Sequence, residues 1–334
     1  MSFRSISFKP MRFKTWMAVI AGGVPASLAA IILFLVIYSW PAAHVNGIGF
    51  IFRDTWNIGN VYANPIQVNG VTIMPGARYG ILFLIAGTLL SSLIALLLAV
   101  PVGVGAAIFL AEVVRGKLRT VMSVIVELFA AIPSVVYGLW GYVVLVPLLG
   151  HHVYPFMAKT LSWLPFFGGL PGSGYGLLTA GIVLAMMIVP LIASILRDAL
   201  ISQPAALREA AMALGATKFE TVWRVLLPGT RTVLIGATIL ALGRALGETM
   251  AVLMVSGGAL NYLPSNIYSP VSTMAAFIVS QLDSALQDPT QMAVRSLAEI
   301  ALILLIISIG VNALARGILK VWSFAGNPAG AVQR

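Results

Sequence analysis

Charged side chains are scarce in this chain of 334 residues, since Asp, Glu, Lys and Arg together make up 9% of it. A soluble domain carries about 25% charged residues, so this sequence has too little charge to cover a surface that faces water. An ordinary soluble enzyme is therefore excluded. With 60% hydrophobic residues and a mean hydropathy of +0.99, the chain is also far too apolar to be disordered. A membrane protein with several spans remains.

Cysteine is absent and histidine occurs only three times. Without cysteine the chain has neither a disulfide framework nor a thiolate metal site. His151 and His152 are adjacent, so on a helix their side chains point in different directions, and no other ligand lies at metal spacing. We expect no metal site and no catalytic triad.

A phosphate-binding loop for ATP is also missing, because it requires G-x-x-x-x-G-K-[ST]. The nearest segment, Arg115-Gly116-Lys117-Leu118, lacks the first glycine and the hydroxyl. We therefore expect that this chain holds no cofactor and is not an enzyme.

Six apolar runs are long enough to cross a bilayer, which takes about 20 residues. They are Met17–Trp40, Tyr79–Ala111, Thr120–Gly150, Tyr175–Leu196, Thr232–Ala259 and Ser296–Ala315. The first is longer than the apolar core of a signal peptide and is interpreted as retained. The sequence predicts an all-α bundle of six membrane helices, kinked at Pro101, Ile132-Pro133 and Pro190.

The distribution of basic residues predicts the orientation of these spans. Most Lys and Arg residues fall in the segments that share one side with both termini, whereas the opposite side has Arg53, Arg78, Lys159 and Arg295. Both termini are therefore expected in the cytoplasm. The net charge of +10 is then explained by topology and lipid headgroups, and a nucleic-acid partner is not expected.

This orientation divides the chain into four parts. They are a cytoplasmic segment 1–16, the first helix with its outer loop 17–78, a transmembrane domain 79–321 that includes a cytoplasmic loop 197–231, and a cytoplasmic tail 322–334. Two long outer segments, Val45–Ala77 and His151–Gly174, are expected to be surface loops, with an interfacial helix near Phe156–Leu164.

The cytoplasmic loop between the fourth and fifth spans has the pattern of two short helices. Pro204 suits the first turn of the first helix. One apolar face then follows at helical spacing: Leu207, Ala210, Ala211 and Leu214. Gly215 fits the position after a helix end, where φ is positive.

A second helix is expected to start at the capping box formed by Thr217 and Glu220 and to end at Pro228. The small alanines at the bend suit a knob that enters a groove on another protein. The alternative is a plain amphipathic hairpin on the surface.

The same loop resembles the signature of ABC importer permeases, E-A-A-x3-G-x9-I-x-L-P. The matching residues are Glu209-Ala210-Ala211, Gly215 and Val225-x-Leu227-Pro228, with Val225 in place of the usual Ile. The resemblance implies a type I importer permease fold of the MetI type, in which this loop docks on a separate ATPase dimer that binds ATP and Mg²⁺. The implied coupling residues are Leu207, Glu209, Ala210, Ala211, Gly215, Leu227 and Pro228.

Three further segments resemble the permeases of phosphate-specific importers, and specifically the PstC family rather than its PstA sister. They are Tyr79-Gly80 with Gly87-Thr88-Leu89 and Ala99–Gly103, then Ala131–Gly141, and then Arg244–Val252. The resemblance implies a second permease subunit of the PstA type, two ATPase subunits of the PstB type and an extracytoplasmic phosphate-binding protein of the PstS type.

Charged residues inside the predicted spans are candidates for the substrate pathway. A charge at the bilayer centre costs about 2.5–3.5 kcal/mol, so such residues face the bundle interior. Arg244 and Glu248 are four residues apart in the fifth span, so they are expected to share a helix face and can pair. A structural ion pair is the alternative, but Gly243 and Gly247 leave room for a pathway.

Two other acidic residues fall in predicted spans. Glu127 in the third span is a second pathway candidate, either protonated or paired with another helix. Glu299 is expected near the outer edge, where water reaches it, and is given no role.

The sequence thus predicts half of the translocation pathway for ATP-driven import of inorganic phosphate, in the cytoplasmic or inner membrane. A permease for sulfate or molybdate is one alternative. A secondary transporter that works alone is another, although it predicts an inverted repeat and no coupling loop, and no repeat is found here.

Overall fold

The computed structural model describes residues 10–325, with side chains for residues 15–317. Twelve helices and one hairpin follow each other along this part of the chain. They are α1 (Pro10–Asn46), α2 (Gly49–Phe52), β1 (Ile66–Val68), β2 (Val71–Ile73), α3 (Leu82–Ile108), α4 (Gly116–Ala131), α5 (Ser134–Thr160), α6 (Leu177–Ile201), α7 (Ala205–Ala213), α8 (Lys218–Gly229), α9 (Arg231–Leu246), α10 (Met250–Val255), α11 (Met274–Leu286) and α12 (Met292–Ala325). The predicted terminal segments 1–16 and 322–334 lie largely outside the described residues.

Five of the described helices are long and apolar enough to cross a membrane, and α8 with α9 forms a sixth if this bent pair is one span. The five are α1, α3, α5, α6 and α12, with α3 continued by the wider turn Phe109–Val113. The prediction of an all-α bundle with six spans is confirmed.

The third span lies further along the chain than the sequence indicated. Thr120–Gly150 was expected to be one kinked helix, but α4 ends at Ala131 and α5 begins at Ser134. Ile132 has an extended backbone with φ −62° and ψ 131°, the conformation that a following proline imposes. Pro133 therefore breaks the helix, whereas α3 and α6 continue through Pro101 and Pro190.

The fifth span, predicted as Thr232–Ala259, is interrupted once, and the chain bends just before it. Between α8 and α9 the axis bends by 67°. Further along, α9 ends at Leu246 and α10 starts at Met250, with Gly247 at φ −91° and ψ 0° between them. Glycine has a low helix propensity, which permits this break.

The core of the bundle is the close pairing of α3 with α6. A methyl group at Gly103 would lie 2.9 Å from Ile192, and one at Gly181 would overlap Ile94. Small residues let two backbones approach closely where lipid offers no hydrophobic driving force. These two helices therefore form the rigid centre to which the other elements are attached.

Gly87 and Gly105 of α3 provide a test of how closely the segment before α11 packs on this helix. A methyl group at Gly87 would overlap the carbonyl oxygen of Ser272, whereas nothing lies within 4 Å of one at Gly105. Gly87→Ala is expected to destabilise the protein by about 1–3 kcal/mol, since backbone atoms must shift. Gly105→Ala is expected to stabilise it by about 0.5–1 kcal/mol through helix propensity. Thermal unfolding of both purified variants in detergent measures the difference, and equal midpoints would contradict the packing.

The predicted outer loop Val45–Ala77 contains regular structure. The strands β1 and β2 pair antiparallel across Asn69-Gly70, which have φ of 52° and 76°. A two-residue Asn-Gly turn between β-branched residues is a strong hairpin signal that the sequence already carried. Nearby, Trp56 is buried against Tyr79 and Phe277, with ring centroids 4.9 and 5.1 Å apart, so this segment is packed on the bundle.

The second outer segment, His151–Gly174, begins within a helix. The span α5 continues to Thr160, so the interfacial helix expected near Phe156–Leu164 is the end of this membrane helix. Beyond it the chain forms turns up to the start of α6.

Glu299 is buried, contrary to the expectation that water reaches it. Glu299 is 6% exposed. Asn46 Nδ2 donates a hydrogen bond to Glu299 Oε2 over 2.9 Å and another to Ser296 Oγ over 3.3 Å. The packing of α1 against α12 covers the carboxyl group, a contact between residues far apart in sequence. The cluster therefore fastens the first helix to the last.

Candidate functional site

A groove of about 850 Å³ lies where α9 packs against α6 and α12. Arg244, Asn312 and Arg316 supply its polar lining, and the other walls are small or aliphatic. The lining residues are Leu191, Gly236, Ile239, Leu240, Gly243, Arg244, Asn312 and Arg316. Two cationic side chains and one amide thus converge on an otherwise apolar cavity.

The close approach of two helices assembles these polar groups. A methyl group at Gly243 would lie 3.7 Å from Asn312 Nδ2, which is ordinary contact, so α9 and α12 nearly touch here. Arg244 follows directly on α9. Arg316 lies four residues beyond Asn312, on the same face of α12. The groove therefore presents guanidinium groups from both helices.

Arg244 is exposed in the single chain, and its guanidinium forms no ion pair or hydrogen bond with any residue that the structure describes. The expectation that Arg244 and Glu248 share one helix face is wrong, because α9 ends between them, and the pair that their spacing allows does not form in the single chain. Glu248 Oε1 instead accepts a hydrogen bond from the backbone of Ala251, at 3.4 Å. The positive charge of Arg244 is therefore not neutralised by any side chain that the structure describes.

The break beside Arg244 is fixed by α5. A methyl group at Gly138 would lie 2.9 Å from both Ala251 Cα and Met254 Sδ, so α5 and α10 are in close contact. This contact holds α10 directly after the interruption and sets where Glu248 lies relative to Arg244.

Glu127 lies away from the groove, and its expected location inside the third span is wrong. It belongs to α4, its side chain is 56% exposed, and its Oε1 accepts from Arg197 Nη2 at 2.9 Å. The pairing across helices is one of the two states that the sequence allowed. Arg197 is buried near the end of α6 and also contacts Asp198, at 2.7 Å.

Sequence reasoning missed Asn312 and Arg316 as groove residues. Arg316 was counted only among the basic residues on the side of the C-terminus, and Asn312 was passed over inside an apolar run. A polar amide four residues before an arginine, both on one face of a membrane helix, was the signal that pointed to them.

The loop 197–231 has the local geometry that its sequence indicates. Gly215 follows the end of α7 with φ +85°, so the positive φ is confirmed. The capping box is confirmed as well: Thr217 Oγ1 accepts from the backbone of Glu220, and a carboxylate oxygen of Glu220 accepts from the backbone of Thr217 at 3.0 Å. The second helix passes Pro228 and ends one residue later, at Gly229.

The expected apolar face of α7 points mainly away from the bundle. Ala211 is buried, but Leu207 is 44% exposed, Leu214 is 90% exposed and Ala210 is exposed too. The reason is that α8, rather than α7, supplies most of the contact with the membrane helices: Val222 and Leu226 pack into the apolar cluster formed with residues of α3 and α6.

Exposed apolar residues therefore precede and follow Gly215 in the sequence. Phe219 and Trp223, stacked with centroids 6.0 Å apart, are 72% and 53% exposed and lie beside Leu207, Met212 and Leu214 in sequence. Glu209 is exposed on the same helix, whereas Leu227 is half-buried and Pro228 is exposed at the end of α8. Exposed apolar surface of this kind is typical of a docking site for another protein.

Comparison with known proteins gives a consistent result. Residues 99–322 match the family described as the binding-protein-dependent transport system inner membrane component. The chain is 44% identical over 319 residues to the phosphate transport system permease protein PstC 1 of Mycobacterium tuberculosis, covering 94% of both chains. It is 40% identical to the PstC protein of Haemophilus influenzae over 91% of both.

A solved structure of the inward-facing MetNI methionine ABC transporter matches 72% of this chain and 95% of its own, with 19% identity and a TM-score of 0.49. That likeness is too low to indicate function. The identity to the PstC proteins, which extends over nearly the whole chain, is what assigns the sequence to a family. The chain belongs to the binding-protein-dependent transport system inner membrane components and, among them, to the family of PstC permeases.

Proposed function

We propose that this chain is one of two permease subunits of an ABC importer and forms half of its pathway for inorganic phosphate. The observation that carries the proposal is Arg244, an arginine on a membrane helix with no anionic partner in the described part of the chain. A charge that is costly to place in a membrane is retained where it serves a pathway. The name of the relatives supplies the substrate.

Arg244 acts on the substrate through its planar guanidinium, which matches the geometry of an oxyanion. Along α12, Arg316 adds a second cation to the lining and Asn312 adds a neutral amide. The groove is open in the single chain, and a second permease subunit of the PstA type closes it into a channel. The open side is therefore the side on which that subunit packs.

Glu248 contributes discrimination between anions. Phosphate carries at least one proton at neutral pH, and sulfate carries none. A carboxylate accepts a hydrogen bond from the protonated anion and repels one that cannot donate, which penalises sulfate. Glu127 is left out of this pathway, because Arg197 holds its carboxylate elsewhere.

ATP hydrolysis takes place on a separate ATPase dimer of the PstB type, which holds ATP and Mg²⁺. This dimer docks on the cytoplasmic loop, where the coupling residues are Leu207, Glu209, Ala210, Ala211, Gly215, Leu227 and Pro228. A phosphate-binding protein of the PstS type delivers the anion to the outer face. Both termini lie in the cytoplasm, and membrane lipids cover the exposed apolar helices.

ATP-dependent uptake of labelled phosphate by the reconstituted complex tests this function. Uptake is expected to require the binding protein. A tenfold excess of sulfate is expected to leave phosphate uptake nearly unchanged, because a site that accepts a hydrogen bond from its substrate rejects an anion that cannot donate one. Equal competition by sulfate or molybdate would support the alternative that the chain is a permease for one of these oxyanions. Uptake by this chain without the ATPase would support a secondary transporter and contradict the proposal.

A further inference from the structure

Arg208 connects the helix α7 to two membrane helices. Its Nη2 lies 2.7 Å from Glu112 Oε1, and its Nε lies 3.2 Å from the same oxygen. Nη2 also donates to the carbonyl oxygen of Leu200 over 2.7 Å, and Nη1 to that of Gln203 over 3.1 Å. All three guanidinium nitrogens are thus engaged. The pattern that identified the coupling loop does not include this arginine.

The partners of Arg208 lie at the ends of the two central helices. Glu112 belongs to the wide turn Phe109–Val113 that ends α3, and Leu200 lies in the last turn of α6. Carbonyl groups in a last turn lack partners within their own helix, so a side-chain donor satisfies them. Arg119 does the same for α3, donating to the carbonyls of Ala111 and Val114, both at 2.9 Å. The ends of α3 and α6 that Arg208 contacts are therefore held in place by side-chain hydrogen bonds.

Few other contacts hold α7 to the bundle. Ala211 is its only buried residue among those described, and at its end Gly215 has a left-handed conformation with open space around it. At the other end, α7 joins α6 through the short turn Ser202–Pro204. These turns would absorb a displacement of α7 unless a stiff contact transmitted it to the membrane helices. The Arg208–Glu112 pair is a contact of this kind, since both side chains are about four-fifths buried and the bond is charge-assisted.

We infer that Arg208 is a positioning residue for transport, which carries the movement of α7 to the paired helices α3 and α6. The inference rests on the proposed function, because it takes α7 as the contact point of the ATPase. A force on α7 pulls on Glu112 and on the end of α6 together, and these helices move as one unit because they pack closely at Gly103 and Gly181. The planar guanidinium fixes both distance and direction, which an ammonium group does not.

The test measures coupling rather than uptake alone. Arg208→Ala, Arg208→Lys and Glu112→Gln are introduced into the full complex in proteoliposomes, and phosphate uptake and ATP hydrolysis are measured in parallel with the binding protein present. Arg208→Ala is expected to assemble and hydrolyse ATP normally, while the ATP consumed per phosphate rises about tenfold, a typical coupling between two sites. Arg208→Lys should be intermediate, since it keeps the charge but not the fork.

Arg224→Ala is the matched control. Arg224 lies in the same cytoplasmic loop, but its pair with Glu220 is exposed and 3.9 Å long, so it is expected to contribute little. Its ratio of ATP to phosphate should equal that of the unaltered complex. The double variant Arg208→Ala with Glu112→Gln should be no worse than Arg208→Ala alone, because one link is removed in either case.

Two results would overturn the inference. An unchanged ratio of ATP to phosphate in Arg208→Ala, with uptake and assembled complex reduced together, means that the residue only stabilises the fold. Unchanged uptake and ratio mean that α7 needs no such link. Failure of the proposed function looks different: the unaltered complex itself would show no ATP-dependent phosphate uptake. If it carries another oxyanion, the ratio is measured with that anion.

Discussion

Replacing Arg244 by Gln is expected to reduce phosphate uptake by about a hundredfold, the cost of removing one partner from a desolvated charged contact, here that of Arg244 with phosphate in the assembled pathway. The amount of assembled complex should be unchanged. The reason is that Arg244 forms no ion pair or hydrogen bond within the described chain, so its removal leaves no buried carboxylate behind. Labelled phosphate uptake, divided by the amount of complex in the membrane, measures the effect.

Two further substitutions sharpen this prediction. Arg231→Gln removes a positive charge at the start of the same helix, away from the groove, and should leave uptake unchanged. Glu248→Gln, which can donate a hydrogen bond, should retain more uptake than Arg244→Gln and admit sulfate. A structural ion pair predicts a different pattern: both single variants lose abundance, and exchange of the two charges restores it. That pattern would contradict the pathway role of Arg244.

Gly215→Leu is expected to abolish most ATPase stimulation and phosphate uptake while the protein still inserts into the membrane. Gly215 has φ +85°, and a residue with a Cβ atom pays about 1–2 kcal/mol in this conformation. No atom lies within 4 Å of a methyl group there, so the cost arises from the backbone rather than from a clash. The turn should relax and displace the apolar surface formed by Leu214 and Phe219. ATP hydrolysis with and without the binding protein, together with copurification of the ATPase, measures the loss.

Gly116→Leu is the matched control for backbone strain. Gly116 also has a positive φ, of 58°, with no atom within 4 Å of an added methyl group, and it is the first residue of α4, outside the proposed docking surface. It should lower thermal stability about as much as Gly215→Leu but leave ATPase binding intact. If both variants behave alike, strain alone explains the result and the docking role of Gly215 is wrong.

Local features of the fold were predictable from the sequence, because their causes are local. The lengths of the apolar runs predicted the membrane helices, and Gly215 and the Thr217–Glu220 capping box predicted the local shape of the loop 197–231. The effect of each proline was not predictable in this way. Pro133 separates two helices, whereas Pro101 and Pro190 lie inside continuous ones. Whether a helix continues through a proline depends on what its neighbours can pack against, which the local sequence does not state.

The candidate site was only partly predictable, for a similar reason. The cost of a buried charge identified Arg244 in advance, but its surroundings come from another helix. Asn312 lines the same groove as Arg244 because α9 packs on α12. Glu127 is paired with Arg197, which is 70 residues away in the sequence. The i,i+4 pair with Glu248 that the spacing allows does not form, because the helix ends first. Tertiary packing decides such partners, so spacing along one segment cannot supply them.

The absence of cysteine permits a direct measurement of the pathway, because a single introduced thiol has no background. Asn312→Cys lies in the groove beside Gly243, whereas Ile306→Cys, on the same helix, is 59% exposed and outside the groove. In the assembled complex, a membrane-impermeant anionic thiol reagent is expected to modify position 312 and not position 306. Phosphate, supplied with the binding protein and ATP, should slow the modification, and sulfate should not. No modification at 312 in correctly inserted complex, or equal protection by both anions, would contradict a phosphate pathway along Arg244 and α12.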